Sequence, residues 1–262
     1  MSLHFRQADK FLDELVIRHG PEDLLARFFF KAVHAAAARG VSLEFGTFAQ
    51  LLETNQNNSD SWFPITTSFR EHPGGASDDS GFVILGRNQN GEIVATQAER
   101  LYDWTGSSLK QEAESLRLFY SDPETQKAPT ESCSVSARAA AQITGRVAYS
   151  GGVWYRPDYR RLQLTEILPR IGRAYAFALW NFDCLAALIT PQNIKKAFDR
   201  RAGYREIEPA SVIMRNSPSL PDGDLHMALG YQTPHHLIDD TFGFLMDFDT
   251  QVDAAVGQRR AQ

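Results

Sequence analysis

Between residues 146 and 189 the chain sets a strand pattern, a helical pattern and a second strand pattern in succession. The stretch RVAYSGGVWY (146–155) reads as a strand. Residues 162–178 repeat their apolar side chains at helical spacing. CLAALI (184–189) is a short apolar run bounded by a polar turn, which suits a parallel strand buried on both faces. A strand of that kind needs helices packed over it, so the fold class expected is α/β (α+β), a mixed central sheet flanked by helices. Pro169 and Gly172 inside the helical pattern predict a kink or a break there.

Elsewhere the elements follow from local signals. A short strand is expected at 3–5 and helices at 7–17 and 21–39, the second with Pro21 in its first turn and Gly40 beyond its end. A strand at 41–45 and a helix at 48–53 precede the polar loop TNQNNSDS. Residues 61–80 show no period and suit a mobile insertion. GFVILGR and IVATQAERLYDW read as a hairpin whose turn carries Asn90-Gly91, a dipeptide suited to positive φ. Residues 109–119 have helical spacing, and SDPETQKAPTES after them reads as loop. Thr190-Pro191 opens a helix that runs to Gly203. Strands at 206–214 and 225–231 follow, and Thr233-Pro234 opens a last helix.

With 262 residues, 43% of them hydrophobic, the chain can bury one sizeable core or two small ones. No repeat or strong linker interrupts it, so a single elaborated domain is expected over 1–262. Its parts are a mainly helical region at 1–60, a core at 81–231 and a C-terminal helix at 233–258. A net charge of -5 argues against a general nucleic-acid partner, which needs a basic surface. No run reaches 18 apolar residues and no secretory signal opens the chain, so no membrane partner and a cytoplasmic location are expected. The two cysteines, Cys133 and Cys184, suit reduced thiols. No P-loop and no GxGxxG after a strand supports a nucleotide reading.

Two stretches carry a resemblance. In VWYRPDYRRLQLTEIL a strand ends in a proline and enters a helix through arginines; in KKAFDRRAGYREIEP a helix ends at an alanine-glycine-aromatic step before a strand. Over roughly 81–231 the chain resembles the GNAT (N-acetyltransferase-like) acyl-CoA acyltransferase superfamily as a divergent member. The resemblance implies acetyl-CoA or another acyl-CoA as co-substrate, with its pyrophosphate on the turn before the helix. It also implies transfer of the acyl group to an amine, on a small molecule or peptide. The family pattern at the turn is arginine or glutamine, two residues, glycine, one residue, then glycine or alanine. Arg160 matches its start, while Gln163 and Thr165 stand at the small positions. By resemblance the co-substrate contacts are Arg160, Arg161, Leu162, Gln163, Leu164 and Thr165, backbone groups of Val153 and Tyr155, and, near the start of the next helix, Asn193, one position from Gln192, on which the family's asparagine falls when counted back from Gly203. Physics supports the turn independently, because the first N–H groups of a helix lack partners and carry roughly half a positive charge.

Acid–base residues are harder to assign. Asp199 stands where family members often carry a proton-donating tyrosine, and an ionised aspartate is a poor donor to a thiolate. The strand at 146–155 has no carboxylate or histidine, leaving Tyr149, Ser150 and Tyr155 as its polar side chains. Glu99, on the hairpin strand, and Tyr149 are the catalytic candidates. Gly151-Gly152 suggests a bulge or a close backbone approach. No metal is expected: His235 and His236 are adjacent on a helix, where successive side chains point about 100° apart. The FFF at 28–30 suits a core helix, and a homodimer is left open. The departures at Gln163, Thr165 and Asp199 keep a second reading, a catalytically inactive GNAT-like binding or regulatory domain.

Overall fold

The computed structural model describes residues 10–70, 80–217 and 223–259. In chain order they form α1 (10–14), α2 (Glu22–Ala38), β1 (Ser42–Gly46), α3 (Phe48–Asn57), a 3-10 turn (Thr67–Phe69), β2 (Gly81–Arg87), β3 (Ile93–Trp104), α4 (Leu109–Glu114), α5 (Pro123–Gln126) and β4 (Ser132–Val135). There follow β5 (Gly145–Tyr155), α6 (Leu164–Trp180), β6 (Cys184–Ile189), α7 (Pro191–Lys195), α8 (Phe198–Ala202), β7 (Glu206–Arg215), β8 (Leu225–Gln232) and α9 (Pro234–Arg259).

The strands make one sheet in the order β1-β2-β3-β5-β6-β8-β7-β4. Only β5 and β6 run parallel; the other neighbours are antiparallel. The fold class is therefore the expected mixed sheet between helices, with helices at the N-terminal end. On one face α2, α6 and α9 bury Phe28, Phe29, Ile171 and Phe244 with the sheet residues Ile84 and Ala148. On the other, α3, the 3-10 turn and α4 bury Phe48, Leu51, Phe69 and Leu109 with Val83 and Tyr149. Each fully buried phenylalanine contributes about 1.5–3 kcal/mol of transfer energy. The FFF run divides accordingly, with Phe28 and Phe29 in the core and Phe30 59% exposed.

The sequence expectations fail at several points, each for a local reason. α6 runs unbroken through Pro169 and Gly172. Pro169 is buried, and the contacts of a helix core offset the roughly 3 kcal/mol an interior proline costs. At Gly172 α6 comes close against β3: a Cβ there would lie 2.8 Å from Glu99 Oε1 and 2.9 Å from Gln97 Cγ. The helix expected over 191–202 is two, because Ala197 takes a left-handed conformation (φ 54°) between α7 and α8. The sequence patterns announce no strand between 133 and 145, yet β4 is an edge strand whose register is set by β7, with Cys133 opposite Met214. Residues 61–70 are not a detached insertion, since Phe69 and Ser68 are buried and Ser68 Oγ donates to the Leu118 carbonyl at 2.7 Å. Residues 71–79 and the strand expected at 3–5 lie outside the described residues.

The contact at Gly172 gives a direct test. In an exposed helix glycine-to-alanine gains about 1 kcal/mol. Here Gly172→Ala should instead destabilise by roughly 1–3 kcal/mol through overpacking, read from urea denaturation midpoints.

Candidate active site

β5 and β6 pair for only three residues, Val147 to Tyr149 against Cys184 to Ala186, although β5 continues to Tyr155 and β6 to Ile189. Beyond Tyr149 the two strands part. The cause lies on the opposite edge of β5, where the register against β3 shifts between Thr96 and Ala98. Gly152 takes φ 61° at this bulge, and its carbonyl accepts a hydrogen bond from Thr96 Oγ1 at 2.6 Å. Gly151 is required too, because a Cβ would fall 2.4 Å from the buried Phe69 ring. The double glycine thus does what a bulge does, bending the strand and freeing one edge. Arg156 N–H bonds the Val94 carbonyl on β3 at 2.8 Å. Since successive N–H groups of a strand point to opposite edges, those of Tyr155 and Val153 are directed to the free edge.

The split leads into the turn before α6. Arg161 (φ 89°) and Gln163 (φ 58°) are both left-handed there, so Gln163 adopts the conformation that glycine would take without strain. Among the described residues, no protein acceptor lies in hydrogen-bonding geometry for the N–H groups of residues 161–165. Consecutive amides in such a turn form an anion-binding concavity, reinforced by the helix dipole.

The five arginines of this region are not equivalent. Arg156 is held by Asp158 and Glu92 at 2.8 and 2.9 Å, and Arg170 by Asp240 at 2.9 Å. Arg173 is fully buried. Arg160 instead donates to the carbonyls of Tyr155 (3.0 Å) and Ser61 (2.9 Å), and neither it nor the exposed Arg161 has a carboxylate among the described residues within 4.0 Å. A further cation arrives from the N-terminal region, where Arg39 Nη2 donates to Gln163 Oε1 at 2.6 Å. Leu162 and Thr165 are half-buried and Leu164 buried; Tyr155 OH donates to the Leu164 carbonyl at 3.3 Å. Asn193 lies in α7, which begins two residues after β6, on the other side of the split.

Glu99 sits opposite Ser150, where the split opens, and is fully buried beneath α6. Its Oε1 accepts hydrogen bonds from Ser150 Oγ (3.0 Å) and Gln97 Nε2 (2.9 Å), and Gln97 also donates to Ser150 Oγ at 3.0 Å. Desolvation pushes its carboxyl up to about 8, against the opposing effects of Ser150, Arg173 and Gln97. Tyr149 does not join this group. As the neighbour of Ser150 on the strand it points to the other face, where it stacks on Phe69 with ring centres 5.6 Å apart. Tyr204, which the sequence reading did not single out, does join it: it follows Gly203, is buried, and sets its ring against the Arg173 guanidinium, 4.4 Å from ring centre to guanidinium carbon. Burial pushes its hydroxyl up, so it keeps its proton at neutral pH. The aromatic after the alanine-glycine step was its one signal in the sequence.

A carboxyl raised in the folded state stabilises the fold fully below its unfolded pKa, and that stability is lost as pH rises through the folded value. Unfolding free energy should therefore fall between about pH 4.5 and 8 by the Glu99 contribution. Glu99→Gln should flatten this slope and be more stable than the parent above pH 8, as measured by denaturant titration across that range.

No family model matches the chain, and no curated protein matches it. Solved structures align with most of it. An aminoglycoside acetyltransferase, AAC(6')-Ib, in complex with coenzyme A and kanamycin is 17% identical, with a TM-score of 0.41 over 75% of this chain and 96% of that one. A dodecameric spermidine N-acetyltransferase from Vibrio cholerae is 9% identical, with a TM-score of 0.43 over 74% of this chain and 94% of that one. The described sheet and split stand on their own geometry, and these likenesses are to acetyltransferases.

Proposed function

We propose that the protein is an acyl-CoA-dependent N-acyltransferase that moves the acyl group directly to an amine. The observation that carries this reading is the row of amides at residues 161–165, without an acceptor among the described residues, beside Arg160, Arg161 and Arg39 at the mouth of a split strand pair. Such a row suits a pyrophosphate, and the free edge of β5 beside it suits an extended amide chain ending in a thioester. Acyl-CoA supplies the acyl group as that thioester. In this reading the amides of 161–165 and the arginines hold the phosphates, and Asn193 lines the far side of the split. The N–H groups of Val153 and Tyr155 face the pantetheine and the acyl carbonyl, where fixed donors favour developing negative charge.

Proton transfer uses the buried group. Ser150 passes its proton to Glu99 as it accepts one from the attacking amine. Tyr204 gives its proton to the departing thiolate and regains one from Glu99 through Ser150, so the amine proton ends on the thiol. Holding amine and thioester together supplies the rest, since good orientation alone is worth about 7–11 kcal/mol of barrier. A binding domain without turnover is the second reading, favoured by the complete burial of Glu99, which puts Ser150 between it and any acceptor.

Thermal-shift titration separates these readings from a phosphate-free corner. Coenzyme A or acyl-CoA at about 100 times its Kd should stabilise by roughly 2.7 kcal/mol. Replacing Arg160 and Arg161 together by alanine should weaken binding by about tenfold or more in a variant that remains folded. Equal affinity in the double variant would falsify the phosphate site. Thiol release with an amine panel should show an acid limb near pH 8 that Glu99→Gln removes along with about 100-fold or more of the rate. Binding without thiol release for any amine favours the second reading.

A further inference from the structure

On the face of β5 away from α6, residues 61 and 62 reach the site from α3 and are held there by two groups. The Trp154 indole donates from Nε1 to Ser61 Oγ at 3.1 Å, and the Trp62 ring stacks on that of Trp154, with centres 5.5 Å and planes 12° apart. Arg160 Nη2 donates to the Ser61 carbonyl at 2.9 Å, and its Nε to the Tyr155 carbonyl at 3.0 Å. The guanidinium thus joins the end of β5 to residue 61, across 99 positions of sequence. Just beyond, the chain is fixed independently of the site. Asn55, buried in α3, donates from Nδ2 to the Phe63 carbonyl at 2.8 Å and accepts the Ile65 N–H at 3.0 Å. Ser61 and Trp62 therefore form a lip, anchored behind by Asn55 and set in front by Trp154 and Arg160.

Arg160 is an exposed cation held by neutral groups. A guanidinium carries its N–H donors in a planar fork, and Nη1 of this one has no acceptor among the described residues. Arg160 also opens the turn whose amides at 161–165 lack acceptors among those residues. An anion on these amides can accept from Nη1 while Nε and Nη2 keep their two carbonyls. Hydrogen bonds to an ionised acceptor are shorter and roughly twice as strong as those between neutral groups. A bound anion therefore restricts the guanidinium more than the carbonyls do alone, and with it the Ser61 carbonyl.

We infer that Arg160 is a clamp between the anion turn and the Ser61–Trp62 lip, so that binding at the turn fixes the indole bordering the free edge of β5. This rests on reading the turn as a phosphate site. Trp62 is half-buried, and Trp154, on which it stacks, lies between Val153 and Tyr155, whose N–H groups are directed to that edge. A molecule entering beside those donors meets the two indoles as one wall. Arg160 is thereby a positioning residue for the wall as well as a phosphate ligand. Arg161, exposed and without a hydrogen bond to residues 61 and 62, acts on the anion alone.

The test is fluorine NMR of the full chain carrying fluorotryptophan, with calorimetry in parallel and inorganic pyrophosphate and coenzyme A as probes. The chain has four tryptophans, and Trp62→Phe identifies the Trp62 line. At saturation either probe should shift and sharpen that line, leaving those of the buried Trp104 and Trp180 in place. Arg161→Ala should reach the same end point at higher probe concentration. Arg160→Ala should displace the Trp62 line before any probe is added, and saturating probe should leave it there. Arg160→Lys, which keeps the charge but not the fork, should likewise bind without the shift. Heat of binding with an unmoved parent line overturns the inference and leaves the phosphate site standing, as does an Arg160→Ala line that responds like the parent's. A parent line that moves on binding to the Arg160→Ala position shows the guanidinium leaving Ser61, and overturns it too. If Arg160→Ala does not fold, Arg160→Lys decides in its place. No heat from either probe defeats the phosphate reading and the clamp together. A response to pyrophosphate but not to coenzyme A upholds the clamp and defeats the acyl-CoA reading.

Discussion

The brevity of one strand pairing governs the site. β5 and β6 are joined over three residues and then separate, and every candidate group lies where that separation begins or leads. The pairing ends because β5 is bent from its other side by the bulge at Gly151 and Gly152, and the bend is held in turn by Thr96 on β3 and the Phe69 ring above Gly151. Side chains at either glycine would meet packed atoms, and at Gly152 an unfavourable backbone conformation as well. The opening in the sheet is thus a consequence of interior packing some distance from it.

The two faces of the sheet divide the work. The face beneath α6 holds the titratable groups: Glu99, Ser150, Tyr204 and Arg173. The other face is aromatic around β5, with Tyr149 on Phe69 and Trp62 stacked on Trp154 at 5.5 Å. The Trp154 indole donates to Ser61 Oγ, and the Ser61 carbonyl accepts from Arg160. The aromatic face and the arginine turn are therefore tied through a single serine. Burying a carboxyl as Glu99 is buried costs stability in its charged form, and a fold retains such a group most readily where its proton can be used.

Much of this was legible in the sequence, and the misses share a cause. The hairpin could be read from Asn90-Gly91, the last helix from Thr233-Pro234, and the turn at 160–165 from arginines placed where a helix disfavours them. These are local signals. Arg39, by contrast, reaches Gln163 across 124 positions of sequence, and nothing near either residue announces it. Ala197 interrupts a good helical pattern, and Pro169 fails to interrupt one; both outcomes are set by what packs against them. The disposition of Tyr149 was within reach, because strand alternation alone places it on the face opposite Ser150 and hence away from Glu99.

The far edge of the sheet has a consequence for how the chain acquires its shape. β1, β2, β3 and β5 can associate as soon as residue 155 is made, since each pairs with strands already present. β4 is made before β5 but pairs only with β7, Cys133 meeting Met214. During synthesis this segment must therefore wait, its edge hydrogen bonds unmet, until the last third of the chain emerges. Pairings so distant in sequence are slow to form, and unpaired strands are prone to wrong partners. Ser132 and Ser134 give one side of this short strand a polar character, and its brevity limits what it offers a wrong partner during that interval.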